Sequence, residues 1–472
     1  MTPKKIAAFA IGPIGAALIS LITLPIITWL FSQEDVGRIA MLQITISFST
    51  LLFGLGLDQA YVREFHEVDD KPGLLKRALL PGLLMLTLML IILLFCGGTI
   101  ANLLFEKPDW HLSFLVAVTL IAAFLSRFLS LVLRMNEQGL AFSMSQLLPK
   151  LVLLAIIGSY VVLKADRNLT NLVLANATAI LSVCAIFLVN TRREWIAATR
   201  VSINWPHLIK MLRFGFPLIL GGIAYWGLTA IDKVFLRKLA SFEELGIYSV
   251  AVSFAGAATI LQSIFSTVWA PTVYKWASKG DGLENVSKVS RYVLAIVVLF
   301  FCAVGLFSWV VTLFLPESYV SVQWILVSCL GAPLLYTLSE TTVVGIGISR
   351  RNSFSMLASL GAFIINVLGN LLLIPHFGAA GAGVSTCVSF WVFFILRTEF
   401  SIYLWQPVPR CLLYIYTALV VFGASIFTLY GNIIYTHMYV FWLLILVSVF
   451  IVFRYEVRES VIFLNNKYKG LH

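Results

Sequence analysis

Hydrophobic residues run in long blocks with short polar interruptions between them, from one end of the chain to the other. Fourteen blocks can be drawn, at about 6–31, 37–62, 78–105, 111–133, 140–163, 169–190, 211–236, 246–267, 289–314, 322–347, 353–374, 380–400, 411–430 and 437–453. A helix needs roughly 20 apolar residues to cross the hydrocarbon of a bilayer, and these blocks are of that order. A membrane β-barrel would instead show alternating segments of about 10 residues. The pattern therefore predicts an all-α polytopic membrane protein with about 14 transmembrane helices. The first block follows Lys4 and Lys5 and is about 26 residues long. It exceeds the roughly 7–15 residues of a signal-peptide core and lacks a clear small-residue cleavage site, so it reads as a retained first helix.

The polar interruptions carry a repeat. FSQEDVG ends at Gly37 and SFEELG ends at Gly246, and both read Ser-x-Glu-acid-(Val/Leu)-Gly in a short loop between blocks. Ser32 with Asp35, and Ser241 with Glu244, have the spacing of a helix N-terminal capping box, with the acids at the positive end of the helix. Upstream, the runs from Gly12 and Gly215 each open a block with Gly and Pro. The copies lie six blocks apart, an even number, so both halves point the same way across the membrane. Parallel repeats of this kind are a transporter signature. The expected organisation is two pseudosymmetric six-helix lobes, 1–200 and 205–403, facing one another across a cavity. A basic linker, TRREWIAATRVSINWPHLIK, joins them, and 409–472 adds helices 13 and 14 and a tail.

Composition sharpens this picture. Sixty per cent of residues are hydrophobic and only 12% are charged, about half the charge of an ordinary soluble domain. The net charge of +11 could suggest nucleic acid, but the basic residues sit in short loops and read as topology signals. With both termini in the cytoplasm, the inner loops and termini hold 24 of the 33 Lys and Arg residues, Arg397 among them, and the outer loops hold six. The six cysteines lie in or beside apolar blocks, without any C-x-x-C or His/Cys cluster. Neither disulfides nor zinc are indicated. No loop exceeds about 20 residues, so any function belongs to the membrane bundle.

Several stretches now carry a resemblance: LPIITWLFSQEDVGRIAML, AYVREF, FGFPLIL with IDKVFL, FEELGIYSVA, VWAPTVYKWAS, and NVLGNLLLIPHFGAAGAGVSTCVSF. In this order the chain resembles the polysaccharide-transport branch of the MOP superfamily, the O-antigen or oligosaccharide flippases (Wzx-type). The resemblance covers about 400 residues. It implies alternating access by two six-helix lobes, no enzymatic activity and no cofactor. It also implies a cargo glycan linked to undecaprenyl pyrophosphate, moved from the cytoplasmic to the outer leaflet of a bacterial inner membrane. The glycan would be an O-antigen (lipopolysaccharide), capsule or exopolysaccharide unit, with a polymerase and a chain-length regulator as neighbours. Two relatives resemble the chain less. Lipid II flippases usually carry arginines in helix 1, and multidrug antiporters often carry a carboxylate there. Helix 1 here has neither. A small-molecule cation antiporter of this fold stays open as an alternative. So, less strongly, does a membrane glycosyltransferase or polymerase, although the outer loops are short for one.

Charges inside the blocks are the functional candidates, because a charge in a bilayer is costly unless it meets a wet cavity or a partner. Lys150 lies near mid-membrane in helix 5, Arg127 near the inner end of helix 4 and Lys233 near the outer end of helix 7. These three could neutralise a pyrophosphate. Glu340 and Asp232 are candidates for proton or ion coupling. Each has a plainer reading: Arg127 snorkels to the surface, Asp232 and Lys233 form an interfacial pair, Glu340 pairs with a basic residue, and Asp58 is interfacial. Asn366 and Asn370, one turn apart, read as structural polar groups between helices. Tyr225, Trp226, Trp269 and Trp309 could stack on sugars, though interfacial aromatic belts account for most of them.

Overall fold

A computed structural model describes residues 3–279 and 282–454, and all regular elements among the described residues are helical. The chain divides into two compact units, Met1–Lys233 and Val234–His472. Among the described residues ten helical stretches are long and apolar enough to cross a membrane, with Ile14–Leu30 a shorter one.

The first unit holds α1 (Pro3–Leu30), α2 (Gln33–Gly54), α3 (Leu57–Glu64), α4 (Lys71–Phe95), α5 (Thr99–Phe105), α6 (Trp110–Met135), α7 (Gly139–Val162), α8 (Leu169–Asn190), α9 (Arg192–Arg200) and most of α10 (Trp205–Leu239). Short polar side chains set where the helices start. Ser32 Oγ accepts from the Asp35 N–H at 3.1 Å, Asp70 from Gly73 at 2.8 Å, Asp109 from His111 at 2.7 Å and Asn168 from Asn171 at 2.9 Å. Each satisfies an amide of a first turn that has no partner within the helix. Helix α6 lies at the centre of this unit, against α2, α4, α5 and α8. Its buried stripe Leu112, Val116, Leu120, Phe124 and Phe128 follows helical spacing. On α4 the opposite situation holds, and Leu84, Leu88, Ile91 and Ile92 face outward as a lipid-facing side would.

Two expected blocks are broken in this unit. The block 37–62 is α2 plus α3, separated where Leu55 (φ 53°) and Gly56 (φ 65°) turn left-handed. The block 78–105 is α4 plus α5, with Gly97 and Gly98 at positive φ between them. The expected basic linker is largely helical as α9 and the first turns of α10. Lys76 of α4 closes the C-terminal end of α9 by donating to the carbonyls of Val201 (2.7 Å) and Thr199 (3.3 Å).

The second unit begins with the end of α10 and contains α11 (Phe242–Ala255), α12 (Ala258–Lys279), α13 (Gly282–Phe307), α14 (Val322–Cys329), α15 (Gly331–Thr342), α16 (Val344–Ile348), α17 (Ser353–Leu404) and α18 (Cys411–Val452), with short 3-10 turns between α13 and α14. Blocks 353–374 and 380–400 are the two halves of α17, bent at Gly378 (φ 52°, ψ −127°), a conformation open to glycine alone. Blocks 411–430 and 437–453 are the two halves of α18, bent at Ile434. Trp442 is fully buried. Hydroxyls bridge helices in this core: Ser328 bonds Thr428 at 2.7 Å and Thr342 bonds Thr398 at 2.7 Å. In hydrocarbon such groups need partners, and small polar residues provide them while letting the helices approach.

The repeated loop motif caps a helix in both places, through Ser32 on α2 and Ser241 on α11 (3.2 Å to the Glu244 N–H). Its acids reach different partners. Asp35 accepts from Arg38 at 3.2 Å, and Arg38 also donates to the Phe105 carbonyl at 3.2 Å, tying α2 to α5. Glu244 accepts from the Ala379 N–H at 2.7 Å, so it caps the second half of α17 immediately beyond the Gly378 bend.

Candidate functional site

The left-handed pair Leu55–Gly56 ends α2 and turns the chain into α3. The bare Gly56 then meets Gly215 of α10 backbone to backbone; a Cβ on Gly56 would overlap the Gly215 carbonyl oxygen. Around this contact α2–α3 and α10 meet at several levels. Trp226 Nε1 donates to Ser47 Oγ at 3.0 Å and its ring lies 4.6 Å from that of Phe48. The Arg63 guanidinium lies 4.5 Å above the Phe214 ring, and His207 Nε2 is 2.6 Å from Glu64 Oε2.

Between these levels is a cavity of about 690 Å³. Ser47, Thr50, Asp58, Gln59 and Arg127 give it a polar wall, and Leu51, Leu218 and Ile219 an apolar one. Arg127 of α6 donates to Asp58 Oδ2 at 2.9 Å, and Gln59 donates to the same oxygen at 3.2 Å. The Arg127 side chain is 46% exposed. An ion pair that wet contributes little, about 0–1 kcal/mol. One N–H of a five-donor fork is engaged by Asp58. The guanidinium is therefore held in place yet free to exchange its partner for another anion. A phosphate can take two of its N–H groups at once.

The second unit holds its charges differently. Glu340 of α15 accepts from Arg397 Nη2 at 2.9 Å, and Arg397 Nη1 donates to Ser339 Oγ at 2.7 Å. The Arg397 guanidinium lies 5.3 Å from the Tyr336 ring and 5.0 Å from the Phe393 ring. Both side chains of the pair are at most 15% exposed. Arg397 was expected among the inner-loop charges; it is instead a buried residue of α17. It escaped a sequence reading because it lies 57 residues from Glu340, and a lone arginine near the end of an apolar block looks like a loop charge.

The remaining candidates are scattered. Lys150 follows Pro149 on α7, which packs against α1 and α8, and among the described residues no hydrogen bond or ion pair reaches its ammonium. Asp232 is 1% exposed, a buried carboxylate, and its Oδ1 accepts the Lys233 N–H at 2.9 Å. Asn370 donates to Asn366 Oδ1 at 3.0 Å and Asn366 to Thr386 Oγ1 at 3.3 Å, across the two halves of α17. Trp269 is buried and donates to the Glu340 carbonyl oxygen at 2.8 Å, so it is a core residue of the second unit. Tyr225 and Trp309 are exposed. Of the three cations first considered, only Arg127 lines the cavity described above, and it brings with it Asp58, a residue that sequence alone placed at the interface.

Comparison with known proteins fits this architecture. The family model described as "Polysaccharide biosynthesis protein" matches residues 3–276, more than half of the chain. The chain belongs to this family. It is 23% identical over 205 residues to a protein of Haloferax volcanii described as the probable low-salt glycan biosynthesis flippase Agl15, and the match spans 42% of each chain, about two fifths of that relative's length. Among solved structures, a lipid II flippase MurJ in an inward closed conformation superposes with a TM-score of 0.69 at 12% identity, covering 98% of this chain and all of that one. The Vibrio cholerae MATE transporter VcmN superposes with a TM-score of 0.58 at 15% identity, over 84% of this chain and 95% of that one. At such identities the likeness is one of fold: this family member shares the fold of these two transporters.

Proposed function

We propose that this protein is a flippase for an undecaprenyl-pyrophosphate-linked oligosaccharide. It moves the repeat unit of an O-antigen, capsule or exopolysaccharide from the cytoplasmic to the outer leaflet by alternating access. In this reading it spans a bacterial inner membrane with both termini in the cytoplasm, and it delivers cargo to a polymerase and chain-length regulator. The observation that carries the reading is Arg127, an exposed guanidinium on the wall of a partly polar cavity, loosely held by Asp58. A pyrophosphate offers the concentrated charge and bidentate geometry that can displace that carboxylate. Ser47, Thr50 and Gln59 on the same wall supply hydrogen-bonding groups for a sugar. The family membership and the relative described as a glycan biosynthesis flippase support the same cargo class. Lys150 and Lys233 are further cations along the route. The transport is coupled to an ion gradient, with Asp232 as the first candidate carboxylate; Glu340 could serve only when released from Arg397.

The test is deletion of this gene in the native host. The leaflet that holds the lipid-linked oligosaccharide and the surface polysaccharide are then measured. Complete repeat units trapped on the cytoplasmic face, with surface glycan lost, are expected. Intact surface glycan without accumulation, in a host with no second flippase, would overturn the reading in favour of a small-molecule antiporter.

A further inference from the structure

A carrier of a lipid-linked headgroup must also accommodate the lipid, and α10 has a feature suited to that. Beside the polar cavity lies a second depression of about 490 Å³, formed by Leu55 with Ile209, Leu212, Phe216, Pro217 and Ile219, and with Arg213 as its one charged residue. Ile219 lines both spaces. Leu55 of the groove adjoins Gly56 of the cavity. One compartment is partly polar and contains Arg127; the other is apolar; a single side chain forms the shared wall. The groove also belongs to an outward apolar face. Phe216 is 64% exposed, and Ile209 and Leu220 are also exposed. Residues 209, 213, 216 and 220 recur at helical spacing on one side of α10. In a membrane-spanning chain such a face meets hydrocarbon. Pro217 has no N–H to return to the Arg213 carbonyl, so this turn of α10 deforms easily.

We infer that the groove Leu55–Ile209–Leu212–Phe216–Pro217–Ile219 seats the polyprenyl chain of the cargo while its pyrophosphate lies against Arg127. The inference rests on the flippase reading above and adds to it where the tail runs. Two adjoining compartments of opposite polarity suit one amphiphile, with its charged end in the wet cavity and its chain on the hydrocarbon side. A tail held there never leaves apolar surroundings, so only the headgroup must be solvated by protein and water during the crossing. Arg213, at the groove, is a second cation near the point where head and tail join.

The experiment places the photo-reactive residue p-benzoylphenylalanine at Phe216 in the groove and, separately, at Gln59 in the cavity. The full-length protein is irradiated in membranes of the native host, where the natural cargo is present, and the adducts are identified by mass spectrometry. Adducts of polyprenyl pyrophosphate glycolipid at both positions are expected. Capture at Gln59 with none at Phe216, or with only phospholipid at Phe216, would overturn the groove while leaving the flippase reading intact. Absence of the glycolipid from both would overturn both. A mutational pair adds an independent readout. Phe216→Asp puts a charge on the tail's path and should lower glycan export by about tenfold or more, whereas Phe216→Leu should keep it. Equal export by a folded Phe216→Asp protein would also reject the groove.

Discussion

The pair Glu340–Arg397 decides between a clamp and a coupling site, and substitutions at its two ends separate these roles. Arg397 has its charge-bearing contact with Glu340 at 2.9 Å and a neutral one with Ser339 at 2.7 Å. Its Nε is buried without a partner. Truncation by Glu340→Ala leaves a guanidinium, 10% exposed, without its countercharge. Breaking a buried pair from one side costs about 3–5 kcal/mol. In a unit of roughly 240 residues each kcal/mol moves Tm by about 2–4 °C, so a fall of about 6–20 °C is expected. Glu340→Gln keeps an oxygen acceptor for Arg397 and should cost less, about 1–3 kcal/mol. The double variant Glu340→Gln with Arg397→Met removes the buried charge altogether and should recover most of the loss. Thermal unfolding of the purified protein in detergent, paired with complementation of surface glycan in the deletion host, reads both quantities. A clamp predicts that export follows stability and returns in the double variant. If Glu340→Ala unfolds within about 1 °C of the parent, the pairing argument is wrong. If the double variant is stable yet exports nothing, Glu340 is a coupling carboxylate and not a clamp.

The other predictions rest on geometry already described. Gly56→Ala forces a side chain onto a left-handed backbone and against the Gly215 carbonyl, and should cost at least about 1–3 kcal/mol; Gly54→Ala, where a Cβ meets nothing within 4 Å, is the control, and equal stability of the two would refute the close approach. Glu244→Ala removes the cap on Ala379 and should speed hydrogen exchange at that amide by up to about tenfold, as expected for a lost cap of about 1 kcal/mol; Glu244→Gln should change it little, and unchanged exchange in both would deny the cap. Lys150→Met replaces an ammonium that has no hydrogen bond or ion pair among the described residues with an apolar side chain of similar reach, so thermal stability should hold or rise while glycan export is lost; normal export by that variant would remove Lys150 from the mechanism.

Much of this fold is legible in the sequence because the bilayer imposes one length on every crossing segment. The capping serines at Ser32 and Ser241 are legible because a cap is a local event, settled within three residues. The breaks at Gly56 and Gly98 were not, because one or two glycines do not interrupt hydrophobicity; they are visible only through backbone torsion. The partners of the acids were beyond reach for a different reason. Arg127 meets Asp58 across 69 residues and Glu244 meets Ala379 across 135, and no local rule relates such positions. The same limit hid Trp269, whose indole looks like an interfacial anchor until Glu340 is seen to accept from it.

On the proposed function, Arg127 and Arg397 would differ as a cargo-binding group differs from a structural one. A residue that must bind an anion and release it within one cycle cannot be bound too well in either state, since an ion held by several buried contacts leaves slowly. Arg397 is itself buried and has a carboxylate, a hydroxyl and two aromatic rings around it; displacing Glu340 would leave a buried charge unpaired at a cost of several kcal/mol. Arg127 is itself 46% exposed and meets a single carboxylate, so exchange of that partner for a phosphate costs less than breaking the Arg397 pair. The exchange also leaves Asp58 without its countercharge whenever the cargo is seated, and restores the pair when the cargo departs. In the proposed cycle Asp58 would thereby compete with the cargo for Arg127 and promote release. Removing it by Asp58→Asn should retain glycolipid on the protein longer while slowing export, and weaker glycolipid retention in that variant would refute the competition.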